Sequence, residues 1–121
     1  MRVAEGWTEY SVIATGDGEK LERWGDITLI RPDPQVIWHP RRPLREMASP
    51  DAVYERSRDG GGRWHYLRPV PEEFSISRGG YSFLLKLMGF KHTGLFPEQA
   101  VNWDRMSELI RGAGREISVL N

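Results

Sequence analysis

The stretch EYSVIATGDGEKLERWGDITLIRP, residues 9–32, decides the fold. Apolar and polar residues alternate over residues 9–16, and the Gly-rich GDGEK follows as a turn. LERW, then GD, then ITLIRP reads as strand, tight turn, strand. The same rhythm continues downstream. AVYERS and RWHYL flank RDGGG, and FSIS and YSFLLKLM flank RGG, so each set forms a hairpin around a glycine loop. In the last strand Phe83, Leu85 and Leu87 share one face, with Ser82, Leu84 and Lys86 on the other. The expected fold class is mainly β (α+β): antiparallel hairpins forming a small barrel-like sheet up to Met88.

Two stretches interrupt this rhythm. RPDPQVIWHPRRP, residues 31–43, holds four prolines, which remove ladder donors and favour an irregular or polyproline-like crossing. After Phe96 the period changes. Pro97 suits the first turn of a helix and Glu98 favours its positive end. Ala100, Trp103, Met106 and Ile110 form one helical stripe, and Gly112 and Gly114 stop it. EISVLN, residues 116–121, then reads as the start of another strand.

Composition excludes several functions. The 121 residues fit one small domain. Lys plus Arg and Asp plus Glu are 17 each, so the chain as a whole is no electrostatic clamp for nucleic acid. The absence of Cys removes disulfides, thiolate metal sites and a cysteine nucleophile, and His39, His65 and His92 are too scattered for zinc. Nothing approaches the roughly 18 apolar residues of a membrane span, which leads to the expectation of a soluble, cytoplasmic protein.

Two stretches carry chemistry. GFKHTGLFPEQAVNW, residues 89–103, leads an extended segment into a helix start with free N–H groups. Thr93, Glu98, Gln99 and Asn102 can hydrogen-bond a polar ligand; the same residues also suit an ordinary cap with a solvated first turn. HPRRPLR clusters Arg41, Arg42 and Arg45 near Trp38. Arg forks grip phosphates and Trp can stack on a base, although a solvated loop would have the same composition. SRDGGGRWHY lacks the Lys-Ser/Thr ending of a phosphate loop and joins strand to strand, so it is a hairpin tip. No nucleophile–His–acid set is tied together by the sequence.

Three stretches together resemble a family. GFKHTGLFPEQAVNWDRM with the later ISVLN, together with TGDGEKLERWG and RPDPQVIW, is similar to class I S-adenosylmethionine-dependent methyltransferases, in the group related to the bacterial large-subunit rRNA methyltransferase I. The resemblance covers residues 9–121. It implies a β-rich N-terminal accessory domain at 1–96, a linker helix at 97–114 and, at 115–121, the first strand of a Rossmann domain absent from the chain. It implies S-adenosylmethionine as cofactor, with Thr93, Gly94, Phe96, Glu98, Gln99 and Asn121 lining its cleft and no catalytic residue in this chain. With the residue reading above, an RNA substrate is expected at Trp38, Arg41, Arg42 and Arg45, and no metal is expected. The chain departs from the better-known branch at Glu98-Gln99-Ala100 and Asn102-Trp103, where that branch has Asp-Gln-Arg and an Asn-Arg pair. The alternatives are a non-catalytic RNA-binding β-module and a structural domain that packs on a Rossmann partner or forms a homodimer.

Overall fold

Asp17 and Gly18 both adopt positive φ (52° and 77°), as a two-residue type I′ hairpin turn between right-twisted strands requires. In a computed structural model describing residues 1–121, this turn joins β1 (Tyr10–Gly16) to β2 (Glu19–Trp24). The turn is shorter than GDGEK suggests, because Glu19 and Lys20 already belong to the ladder. Gly25 and Asp26 make the next turn into β3 (Ile27–Pro32), with Trp24 opposite Ile27. A bulge between Val12 and Ala14 leaves Ile13 outside the β1 ladder.

Residues 33–51 then cross over, with one short helix, α1 (Leu44–Met47), on the way. They deliver β4 (Ala52–Arg56) parallel to β3, with Leu29 opposite Ala52. The expectation of wholly antiparallel strands is corrected here. A proline-rich connection of this length is long enough for the crossover a parallel pair needs. β5 (Gly62–Tyr66) returns antiparallel to β4, and β6 (Phe74–Arg78) and β7 (Tyr81–Leu85) form a separate two-stranded hairpin. The fold class is as expected, mainly β with one C-terminal helix, but the sheet is open rather than barrel-like. Its order is β1-β2-β3-β4-β5, with β1 and β5 at the edges.

The chain divides into two compact units, Trp7–Leu95 and a second made of Met1–Gly6 with Phe96–Asn121. In the first, register assigns each side chain to a face of the sheet. Leu21, Ile30 and Val53 lie on one face and pack with Leu44 of α1 and with Ala14 and Ala48. Burying each large aliphatic contributes about 1.5–3 kcal/mol. Tyr10, Glu22, Trp24, Leu29, Arg31, Tyr54 and Trp64 project from the other face. An aromatic chain ties the β6–β7 hairpin to it: Phe83 to Trp7 (5.7 Å), Trp7 to Tyr10 (6.3 Å) and Tyr10 to Trp24 (4.6 Å).

In the second unit, a 3-10 turn at Pro97–Gln99 opens α2 (Ala100–Gly112), and Gly114 at φ 64° follows its end. Helix start and stop are where the sequence placed them. The predicted stripe is buried only at its beginning: Ala100 is buried and Trp103 half-buried, while Met106 is 46% and Ile110 42% exposed. Residues 115–121 form no ladder with any strand of this chain, so the strand expected there is absent. A β-branched run becomes a strand only beside a neighbour that satisfies its backbone groups.

Candidate functional site

The segment entering residues 89–103 is held across the sheet by its own carbonyls. Lys86 N–H bonds the Thr93 carbonyl and Met88 N–H the His92 carbonyl, so residues 86–93 fold back on themselves. Three sheet side chains then grip the backbone in order. Trp64 Nε1 on β5 donates to the Met88 carbonyl at 2.7 Å, and Tyr54 Oη on β4 to the Gly89 carbonyl at 3.3 Å. Arg31 Nη1 on β3 donates to the Lys91 carbonyl at 3.0 Å. In return, Lys91 Nζ donates to the Pro32 carbonyl at 3.0 Å. Burial, then the charges of Arg56 and Lys20, hold the Lys91 ammonium below the ordinary lysine value.

Arg31 holds this arrangement because it is itself fixed. Its Nε and Nη2 each donate to the Glu22 carboxylate at 2.7 Å, a bidentate pair with Glu22 wholly buried. Tyr10 Oη adds a third bond to Glu22 at 2.9 Å, and the Arg31 guanidinium lies 5.2 Å from the Trp24 ring centroid. Sequence reading missed this network. The available signal was Glu22 itself, which a period of two places on the Trp24 face of a strand buried on both sides.

The expected cofactor contacts divide between the two units. Thr93 and Gly94 belong to the first. Thr93 is fully buried and its hydroxyl turns to the Leu95 carbonyl at 3.4 Å, so it shapes the segment rather than facing solvent. Gly94 takes φ 94°, a backbone that β-carbon-bearing residues resist. Phe96, Glu98, Gln99 and Asn121 belong to the second unit, and all four are exposed. Gln99 Oε1 accepts from Asn102 Nδ2 at 2.8 Å, so the Asn102 amide braces it from the first helical turn. Of the expected cofactor contacts in the second unit, Glu98, Gln99 and Asn121 are thus the exposed polar groups and Phe96 the exposed apolar one.

The residues expected to meet RNA, Trp38, Arg41, Arg42 and Arg45, lie on the crossover. Trp38 is 52% exposed, yet its indole is fixed: Nε1 donates to the Thr15 carbonyl (3.3 Å) and hydroxyl (3.2 Å). The crossover docks on the first hairpin turn through Asp17 N–H to the Trp38 carbonyl (2.9 Å) and Gly18 N–H to the Val36 carbonyl (2.8 Å). Gly16 permits this approach, since a β-carbon there would stand 2.5 Å from the Pro40 ring. Arg41 and Arg42 are exposed, and Arg42 Nη2 donates to the Glu46 carbonyl at 3.0 Å. Arg45 is close enough to Glu19 to oppose the burial that raises that carboxyl. No group of three or more acidic or imidazole side chains could hold a metal ion, and no helix is long and apolar enough to cross a membrane.

No protein-family model and no curated protein matches the chain. Solved structures do. The chain is similar to the SAM-dependent methyltransferase from Agrobacterium tumefaciens, with a TM-score of 0.80 and 34% identity, covering 93% of this chain and 36% of that one. It shares its fold with a proposed SAM-dependent methyltransferase from Streptococcus mutans at a TM-score of 0.54 and 22% identity, covering 90% of this chain and 31% of that one. The chain therefore has the fold of about a third of the length of these methyltransferase structures.

Proposed function

We propose that the chain is the β-rich accessory part and linker helix of a cytoplasmic S-adenosylmethionine-dependent methyltransferase acting on RNA, in the group related to the bacterial large-subunit rRNA methyltransferase I. The observation that carries this reading is the likeness to the Agrobacterium tumefaciens structure over 93% of the chain. S-adenosylmethionine supplies the transferable methyl group when bound. This chain's residues bind and orient: Phe96 packs on an apolar part of the cofactor or target, and Glu98, Gln99 and Asn121 hydrogen-bond polar parts. Thr93 and Gly94 set the path of the segment before them. Transfer of a methyl group depends on such positioning. The test is the gene beyond the Asn121 codon. A frame running on into a glycine-rich turn and a helix fits the reading, and an immediate stop codon refutes it.

The RNA part of the reading rests on Trp38, whose indole is fixed at its N–H and open on its ring, beside exposed Arg41, Arg42 and Arg45. Stacking on such a ring contributes about 1–3 kcal/mol per base. Three arginines on a single strand give a slope of log affinity against log salt of about −2. Arg41→Ala with Arg42→Ala reduces its magnitude by about 1.4 units. A slope near zero in the unsubstituted chain sinks the RNA reading and leaves the methyltransferase reading standing.

A further inference from the structure

One end of the five-stranded sheet gathers cations. Lys20 and Arg31 stand directly opposite each other across β2 and β3. Like charges so placed destabilise a sheet. The parallel register sets Ile30 beside Val53, so β4 carries Tyr54 and then Arg56 along the same face toward the Pro32 end of β3. Lys91 arrives at that end from the crossing segment and bonds the Pro32 carbonyl. Two carboxylates share this face and both are engaged, while Glu19 and Glu55 at the same end point to the other face. Glu22 is held by Arg31 and Tyr10, and Asp33 lies 3.5 Å from Lys20. Arg56 and Lys91 have no carboxylate within ion-pair distance; Arg56 is exposed and Lys91 half-buried. The charges act on one another, since Arg56 and Lys20 add to burial in lowering the Lys91 ammonium, against Asp33.

Four cations around two carboxylates leave about two positive charges uncompensated, an arrangement that costs the fold stability. We propose that Arg56 and Lys91, backed by Lys20 and Arg31, form a binding site for a phosphoryl anion on this face of the sheet. Arg56 offers a planar fork and Lys91 a point charge with two unused N–H donors. Tetrahedral phosphate oxygens accept from both directions at once, and their charge offsets the surplus. The anchored segment places Lys91 for this role, because its carbonyl is fixed by Arg31. The site is separate from Arg41, Arg42 and Arg45, since Arg45 opposes Glu19 on the side of the sheet that α1 covers. It does not depend on the methyltransferase reading.

The test is a titration of the 121-residue chain with inorganic phosphate at constant ionic strength, following the lysine side-chain resonances by NMR. The Lys91 signal shifts saturably, while that of Lys86, already paired with Glu72, does not. Arg56→Ala weakens binding by about tenfold or more, the effect of losing one charged hydrogen bond. Arg105→Ala, at a side chain paired with Glu108, leaves it unchanged. Arg56 is exposed, so its replacement leaves the core intact. A short single-stranded oligonucleotide that moves the same resonance identifies a phosphodiester as the ligand; a response to inorganic phosphate alone identifies a small anion. A Lys91 shift that stays linear and matches Lys86, or one that Arg56→Ala does not alter, overturns the proposal.

Discussion

Replacing Arg31 with Met removes the only cation that faces a wholly buried carboxylate. Glu22 is 0% exposed and takes two bonds from Arg31 at 2.7 Å and one from Tyr10 at 2.9 Å. After Arg31→Met, only the tyrosine bond remains. Breaking one side of a buried pair costs about 3–5 kcal/mol, because the surviving charge is left in a poorly polarisable site. The Lys91 carbonyl also loses its donor. A domain of this size has about 5–15 kcal/mol in total. The substitution therefore consumes a large share, and lowers the melting temperature by about 15 °C. Urea unfolding followed by Trp fluorescence measures the loss, since Trp24 lies under the guanidinium. The decisive comparison is the double variant Glu22→Leu with Arg31→Met. It removes both charges, so no buried ion is left unpaired, and gives up the Tyr10 Oη and Lys91 carbonyl bonds to this pair, at about 1 kcal/mol each. The double variant is thus more stable than the single one. A single variant within about 1 kcal/mol of the parent, or a double variant less stable than the single, refutes the buried-pair account.

Two further outcomes follow from the geometry. Gly16→Ala forces a β-carbon against the Pro40 ring and costs about 1–3 kcal/mol by overpacking, read as a fall in the thermal midpoint; no fall would mean the crossover does not sit on the first turn. Glu72 is held below the ordinary carboxyl value first by the hydrogen bond from Lys86 and then by its charge. Its contribution is complete above the unfolded carboxyl value and is lost as pH falls through the lowered folded one. Lys86→Met returns the Glu72 midpoint upward in an NMR titration, and an unchanged midpoint would remove Lys86 as the cause.

Local rules made the hairpins legible. Asp17-Gly18, Gly25-Asp26 and Gly79-Gly80 are turns whose positive φ values suit glycine-rich pairs, and the alternation of residues 82–86 matches what is buried and exposed. Pro97 and Gly114 mark the helix limits for equally local reasons. The parallel β3–β4 pair was not legible, because strand direction is set by where residues 33–51 return the chain. That depends on Leu44 packing against Leu21, Ile30 and Val53. The Glu22–Arg31 pair was hidden for a related reason. Nine positions separate the two residues along the chain, and only the β2–β3 register brings them onto one face. The candidate site was legible as a stretch and not as a division of labour: Thr93 reads as a ligand contact, yet its hydroxyl is turned inward.

The three stretches that carry the family resemblance touch one another. The first turn accepts and donates to the proline-rich crossover: Gly18 N–H bonds the Val36 carbonyl, and Asp33 N–H the Gly18 carbonyl at 2.7 Å. The last two residues of β3, where the second stretch begins, then hold the third, through Arg31 to the Lys91 carbonyl and Lys91 to the Pro32 carbonyl. A sequence that keeps all three keeps one set of mutual contacts, most of them backbone bonds and buried groups. Likeness in these stretches is therefore a statement about a shared platform. The proposed binding is assigned to exposed groups on this platform, Trp38, Arg41 and Arg42 on the crossover and Arg56 on β4. The platform and the proposed binding groups overlap at Trp38 and Lys91, whose polar atoms also make platform bonds. Substituting Arg31 or Gly16 tests the first, and substituting Arg41, Arg42 or Arg56 tests the second while leaving the platform in place.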